Sequence, residues 1–189
     1  HTIDIAIRYQ TLMTSGNGYD YQRGWRREET DNSIPIVELL QDRMTIPKET
    51  PFVLEGFGQD SDEDNQLTFS WEQNDASETA FWPPDYPPDT GPLFCSVDGN
   101  IDGYKRFFPT MESLLVNEYS TSNFEKLPFA SREINMRLLV RDNDLYSGGF
   151  NYKNVQLNVD ENAGPFRVTS QYEMESWEVG STEVITWDV

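Results

Sequence analysis

The sequence predicts an all-β protein: an antiparallel sandwich elaborated by one long insertion. Three observations carry that expectation. Several short segments alternate apolar and polar residues with a period of two, as half-buried strands do. Stretches rich in Gly, Asn, Asp and Pro separate them, as turns require. Aromatic residues make up 13% of the 189, enough bulk for a core although 25% of the chain is charged.

The strands come in order. Residues 34–40 form the first. In 51–58, Phe52 and Leu54 alternate with Val53 and Glu55. Leu67, Phe69 and Trp71 then alternate with Thr68, Ser70 and Glu72. Ile134, Met136, Leu138 and Val140 alternate with Asn135, Arg137, Leu139 and Arg141. Val155, Leu157 and Val159 alternate with Gln156 and Asn158. Such a series fits an immunoglobulin-like sandwich over residues 34–162.

Residues 74–133 interrupt the series, and insertions this long are usually structured or functional. Met111, Leu114 and Leu115 predict two helical turns over 111–117 with those three facing inward. Trp82-Pro83-Pro84-Asp85-Tyr86-Pro87-Pro88 is a stiff extended stretch. Its Trp82 and Tyr86 are candidate ligand-binding residues, able to stack on a sugar ring or a peptide. The alternative is that they pin the insertion to the sandwich.

Residues 1–33 precede the sandwich. Residues 2–15 fit both alternation and helical spacing. Thr2 as a cap and Ser15-Gly16-Asn17-Gly18 as a stop favour a short helix, with 17–33 a linker. Asn162-Ala163-Gly164-Pro165 marks a boundary, after which 166–169 and 183–189 read as strands of a second β unit. About 25 residues bury no core alone. The chain begins at His1 and ends within an expected strand, so a piece of a longer protein is expected.

Charge narrows the functional classes. With 33 Asp and Glu against 14 Lys and Arg, the formal net charge is −19. Such a surface repels phosphate backbones and anionic lipids, so neither nucleic acid nor a membrane is an expected partner. No apolar run has the ~18 residues of a membrane span. Residues 49–104 hold 13 acids and no Lys or Arg, which suits a salty, calcium-rich extracellular setting.

The usual catalytic constellations are missing from the sequence. Histidine occurs once, at His1, leaving no His-rich zinc motif and no ready base for a nucleophile. Cys95 stands among apolar residues and reads as an inert buried thiol. No glycine-rich phosphate loop follows a strand, and among so many carboxylates no pair stands out for glycoside hydrolysis.

One constellation does carry chemistry. Asp60, Asp62 and Asp64 alternate in one loop, and Asp142 and Asp144 follow the strand that ends near Val140. In an immunoglobulin-like order these two loops emerge at one pole. Ca²⁺ takes six to eight hard oxygen ligands, so the five aspartates are candidate calcium ligands. An EF-hand does not fit: counting from Asp60, Asn65 stands where its Gly belongs and Trp71 where its Glu belongs. The plainer alternative is a pair of ordinary Asp-rich turns.

Thr45-Ile46-Pro47-Lys48-Glu49-Thr50-Pro51-Phe52-Val53-Leu54-Glu55-Gly56, then Asp60-Ser61-Asp62-Glu63-Asp64 and Leu67-Thr68-Phe69-Ser70-Trp71-Glu72-Gln73, form an ordered set of motifs. Gly91-Pro92-Leu93-Phe94, Arg106-Phe107-Phe108-Pro109, Leu127-Pro128 and Leu139-Val140-Arg141-Asp142-Asn143 extend it. The set resembles the immunoglobulin-like, polycystic-kidney-disease-like or cadherin-like module that follows the catalytic domain in bacterial secreted reprolysin-like zinc metallopeptidases. Gly164-Pro165-Phe166-Arg167-Val168-Thr169-Ser170, Trp177-Glu178-Val179-Gly180-Ser181-Thr182 and Thr186-Trp187-Asp188 are similar to the start of the next repeat there. The resemblance covers residues 33–189, and residues 1–18 are similar to the last helix of the catalytic domain.

The resemblance implies a secreted, non-catalytic accessory module that spaces or stabilises the parent peptidase, or engages a protein or polysaccharide substrate or a cell surface. The implied partner is the catalytic domain of the same parent chain. A carbohydrate-binding or cell-surface adhesion module is the alternative. Two departures stand out. This chain has no zinc motif, so no catalytic residue carries over, and Cys95 replaces the polar or basic residue expected there.

Overall fold

Alternation becomes strand wherever one face finds a core. The computed structural model describes residues 19–20, 25–26, 30–62, 66–76, 90–115, 125–145, 147–170 and 176–189. The chain divides into two compact units, His1–Asn32 and Ser33–Val189. In the first, β1 (Tyr19–Asp20) pairs antiparallel with β2 (Trp25–Arg26), so the expected linker holds a short ribbon. Tyr and Trp, both favoured in strands, stand in it. The helix expected before it lies outside the described residues.

The second unit is mostly β. Its strands are β3 (Ile36–Leu39), β4 (Arg43–Pro47), β5 (Phe52–Gln59), β6 (Thr68–Gln73), β7 (Lys105–Phe108), β8 (Glu133–Arg141), β9 (Phe150–Asp160), β10 (Arg167–Val168) and β11 (Trp187–Asp188). One sheet has the order β3-β5-β7 and a second the order β4-β9-β8-β6, while β10 and β11 form a separate pair. Val37, Leu54 and Phe108 from the first sheet join Ile46, Trp71, Met136, Leu138 and Leu157 from the second in one buried apolar cluster. The sheets approach so closely that a Cβ on Gly58 of β5 would stand 2.8 Å from the Phe69 ring and 3.0 Å from Val140.

Not every pairing is antiparallel. β4 runs parallel to β9, with Met44 opposite Leu157 and Ile46 opposite Val159. The chain crosses from β3 to the other sheet, and Ile46 carries its apolar side chain into the core. Pro47 ends β4 at the sheet's outer edge, where a missing N–H costs no ladder bond.

The insertion is built into the core. Leu93 and Phe94 are buried, and their N–H groups donate to Gln73 Oε1 at 2.6 and 3.0 Å. β7 then adds to β5, stacking Phe108 on Phe52 with ring centroids 5.0 Å apart. Arg106 points inward beside it. It donates to the carbonyls of Trp71 (2.7 Å) and Cys95 (2.8 Å) and to Glu125 Oε1 (2.5 Å). Glu125 Oε2 accepts from the Thr110 N–H at 2.7 Å, so one buried ion pair ties three parts of the insertion together.

The helical expectation at 111–117 needs correction. The helix α1 spans Met111–Leu115 and buries no residue; Met111 and Leu115 are exposed and Leu114 is half-buried. Residues 116–117 lie outside the described residues. Phe52, Phe94 and Phe108 pack against one another in the core, while Met111 and Leu114 only line an apolar pocket with Phe52, Val53, Phe107 and Phe166.

Gly164 fixes the exit from β9. Its φ is +88°, and a Cβ there would lie 2.7 Å from the Lys48 carbonyl and 2.8 Å from Pro47. Lys48 N–H donates to the carbonyls of Asp160 and Ala163, and Phe166 N–H donates to Thr50 Oγ1. Beyond this anchor, Val168 of β10, Trp187 of β11 and Ile185 before β11 are exposed.

Candidate metal centre at the acidic pole

The register of β6 and β8 decides where the two acidic loops lie. Thr68 opens β6 opposite Arg141, which closes β8. The loop leading into β6 and the loop leaving β8 therefore share one end of the sheet. Asn143 links them directly, its Nδ2 donating to the Gln66 carbonyl at 2.7 Å and to Thr68 Oγ1 at 3.0 Å. It does so from a left-handed backbone, with φ of 56°, a conformation Asn tolerates better than most residues. The segment entering β3 joins the same pole, where Asn151 Nδ2 donates to the Pro35 carbonyl.

Asp60 follows β5 directly. Its Oδ1 accepts the Asp62 N–H at 2.9 Å, an Asx turn. Its Oδ2 is buried and has no hydrogen-bond partner. Asp62 Oδ2 accepts the Ser33 N–H at 2.6 Å, fastening the loop to the start of the unit.

Asp142 is fully buried, with 0% exposure. Its Oδ1 accepts the N–H groups of Asp144 (3.1 Å) and Gly149 (2.8 Å), and its Oδ2 shares the latter at 2.9 Å. Asp144 Oδ1 accepts both the N–H and the Oγ of Ser147. These bonds explain why the loop closes as it does, since the buried Asp142 carboxylate must be met by donors and the turn supplies its N–H groups.

Of the five candidate ligands, Asp60, Asp62, Asp142 and Asp144 thus lie in loops at one pole, while Asp64 lies outside the described residues. Among the described residues no three carboxylate, cysteine or histidine side chains converge on a metal position. Most of the described aspartate oxygens hold loop backbone. Asp60 Oδ2 differs, because a buried carboxylate oxygen with no donor is costly unless something positive meets it. The donor set is all hard oxygen, which fits Ca²⁺ and not the N/S preference of zinc.

Among the described residues, two titratable groups are shifted elsewhere. Burial pushes the Glu72 carboxyl above its ordinary range, against the opposing pull of Arg141 and a hydrogen bond from Ser70. Cys95 is half-buried, less enclosed than its apolar neighbours suggest. Burial, then the nearby Glu125, raises its thiol above the ordinary value despite Arg106. It stays a thiol at neutral pH and a poor nucleophile. Trp82 and Tyr86 lie outside the described residues. Sequence reasoning missed the inward role of Arg106; an arginine within an aromatic-rich run, Arg106-Phe107-Phe108, was the available signal.

Compared with protein-family models, with curated proteins and with solved structures, the chain shows no match.

Proposed function

We propose that this chain is a non-catalytic accessory β module of a secreted protein, its acidic pole closed by one Ca²⁺. The sandwich is immunoglobulin-like in this reading. The motif resemblance makes the parent a secreted zinc metallopeptidase whose catalytic domain is the module's neighbour, with the module spacing it or engaging its substrate or a surface. The observation that carries the calcium reading is Asp60 Oδ2, a buried carboxylate oxygen with no hydrogen-bond partner, at the pole that also holds Asp62, Asp142 and Asp144. Asp60 and Asp62 would hold the ion together with oxygens of the 142–144 loop and Asp64. Bound there, Ca²⁺ turns the mutual repulsion of carboxylates into attraction.

The test is a thermal melt with free Ca²⁺ and with excess chelator, on wild type and on Asp60→Asn. Ligand at ~100 times its dissociation constant adds about 2.7 kcal/mol. For a unit of this size that is roughly 5–10 °C in Tm. Asp60→Asn should abolish the shift without lowering the chelated Tm, because it keeps an acceptor for the Asp62 N–H and removes the charge from an oxygen, Oδ2, that no donor meets. Mg²⁺ should substitute poorly, since it demands a tight octahedron and gives up water reluctantly. A wild-type Tm indifferent to calcium defeats the metal reading. A shift that survives in Asp60→Asn moves the ion to other carboxylates.

A further inference from the structure

Among the described residues the first sheet ends on β7, which pairs with β5 on one side and has no strand on the other. The hydrogen-bond phase follows from one bond. Gly56 N–H donates to the Tyr104 carbonyl at 3.0 Å, so the Gly56–Tyr104 pair is a bonded one. Antiparallel pairs alternate between bonded and non-bonded. Arg106 and Phe108 therefore spend their backbone groups on β5. Lys105 and Phe107 aim theirs away from it, and among the described residues no hydrogen bond uses those groups.

The free edge faces a cavity of about 270 Å³ whose lining includes Trp71, Asn100, Asp102, Lys105, Phe107 and Glu112. The facing strand, β6, is already partly covered: Phe69 exchanges backbone bonds with Asn100. That cover stops short of β7. Arg106 also lines the cavity, and its Nε has no hydrogen-bond partner although the residue is only 8% exposed.

Charge indicates which strand would fit. Lys105 is paired with Glu55 at 3.4 Å, and Arg106 with Glu125. Asp102 and Glu112 have no such cation among the described residues, and α1 places Glu112 on its exposed surface. A second copy of this chain, itself at −19, is repelled from such an edge. We infer that the outer edge of β7 is a docking site for an extended basic peptide, which adds to the β3-β5-β7 sheet as a fourth, terminal strand. Backbone bonds to Lys105 and Phe107 give the affinity, and alternate cationic side chains meet Asp102 and Glu112. The inference is independent of whether calcium binds at the pole.

The test is an amide NMR titration with a blocked hexapeptide of alternating Lys and Val. The Lys105 and Phe107 N–H resonances should shift and their hydrogen exchange should slow. N-methylating one alternate set of peptide amides should abolish the effect, and methylating the other set should spare it, since an edge strand is paired on one side only. Phe107→Pro removes an outward N–H without breaking a bond to β5, and proline is tolerated at an edge. It should bind about tenfold more weakly, and unchanged spectra away from β7 would show that it folds. Overturning results are absence of shifts at Lys105 and Phe107, equal binding of a peptide with Glu in place of Lys, or equal tolerance of both methylation patterns. Concentration-dependent shifts at β7 without peptide would assign the edge to a second copy instead.

Discussion

At the scale of single residues, the molecule spends several charges inside. Arg106 and Glu125 are buried together, and each also anchors backbone. A pair of this kind adds little net stability over an apolar substitute, yet leaving one partner alone costs about 3–5 kcal/mol. Its role is therefore positional, holding the 95, 106 and 125 segments in register. Glu72 is the opposite case, a carboxylate whose surroundings disfavour its charge. Burial outweighs Arg141, Ser70 and Arg137, so its pKa in the fold lies above the ordinary 4.5. The folded state then holds the proton more tightly than the unfolded state. By linkage, stability falls as pH rises from the unfolded value through the folded one. Glu72→Gln, which keeps an acceptor for Ser70 and removes the charge, should raise Tm at pH 7. The gain should shrink as pH drops toward 4.5 and vanish below it, where wild-type Glu72 is protonated in both states. Parallel melts of the two proteins across that range measure it. A gain that is flat with pH would mean the effect is packing and not ionisation.

At the scale of elements, legibility followed how each strand splits its faces. β5, β6, β8 and β9 put apolar residues inward and mostly polar ones outward, so their alternation reads directly from the chain. β7 does not, because its inward residues are Arg106 and Phe108 and its outward ones Lys105 and Phe107. No hydropathy period exists there; an ion pair with Glu125, distant in sequence, decides the inward face. β4 does alternate, through Met44 and Ile46, but nothing local announces a parallel partner in β9. The acidic pole was legible as a place, since strand order brings the two loops together. What each carboxylate touches was not, because Asp142 is set by the Gly149 N–H and Asp62 by the Ser33 N–H, contacts that depend on loop closure. Gly164 shows the same dependence on the fold. Its positive φ disfavours any side chain, and the Lys48 carbonyl lies 2.7 Å from where a Cβ would stand. Gly164→Ala should destabilise by more than about 1 kcal/mol in urea unfolding, since left-handed strain adds to the clash. Gly180, also at positive φ (+92°) but with nothing within 4 Å of its Cβ position, is the control and should cost only the conformational part. Equal losses at both would show that the contact with Lys48 and Pro47 contributes nothing.

At the scale of the whole molecule, the governing quantity is the net charge of −19. Like charges on a folded chain repel, and compaction raises that energy relative to the expanded chain. Among the described residues few ion pairs offset it: Lys105–Glu55 is partly exposed, Arg106–Glu125 is internal and Arg132–Asp75 is long at 4.0 Å. Screening must then come from solution. The Debye length falls from about 30 Å at ~0.01 M salt to about 8 Å at ~0.15 M, so over that range distant carboxylates cease to interact. Raising NaCl between those limits should increase Tm by several degrees and then level off, because only neighbours closer than the Debye length still repel. Screening and site binding separate at fixed ionic strength. With ~0.15 M NaCl already present, submillimolar CaCl₂ changes the Debye length negligibly. Any further rise in Tm on adding it reports an ion held by specific oxygens, and Asp60→Asn should lose that rise while keeping the response to NaCl. A Tm insensitive to NaCl from the start would mean that the acids are already neutralised by arrangement within the fold. A response in which Mg²⁺ equals Ca²⁺ at matched ionic strength would leave screening as the whole of the effect.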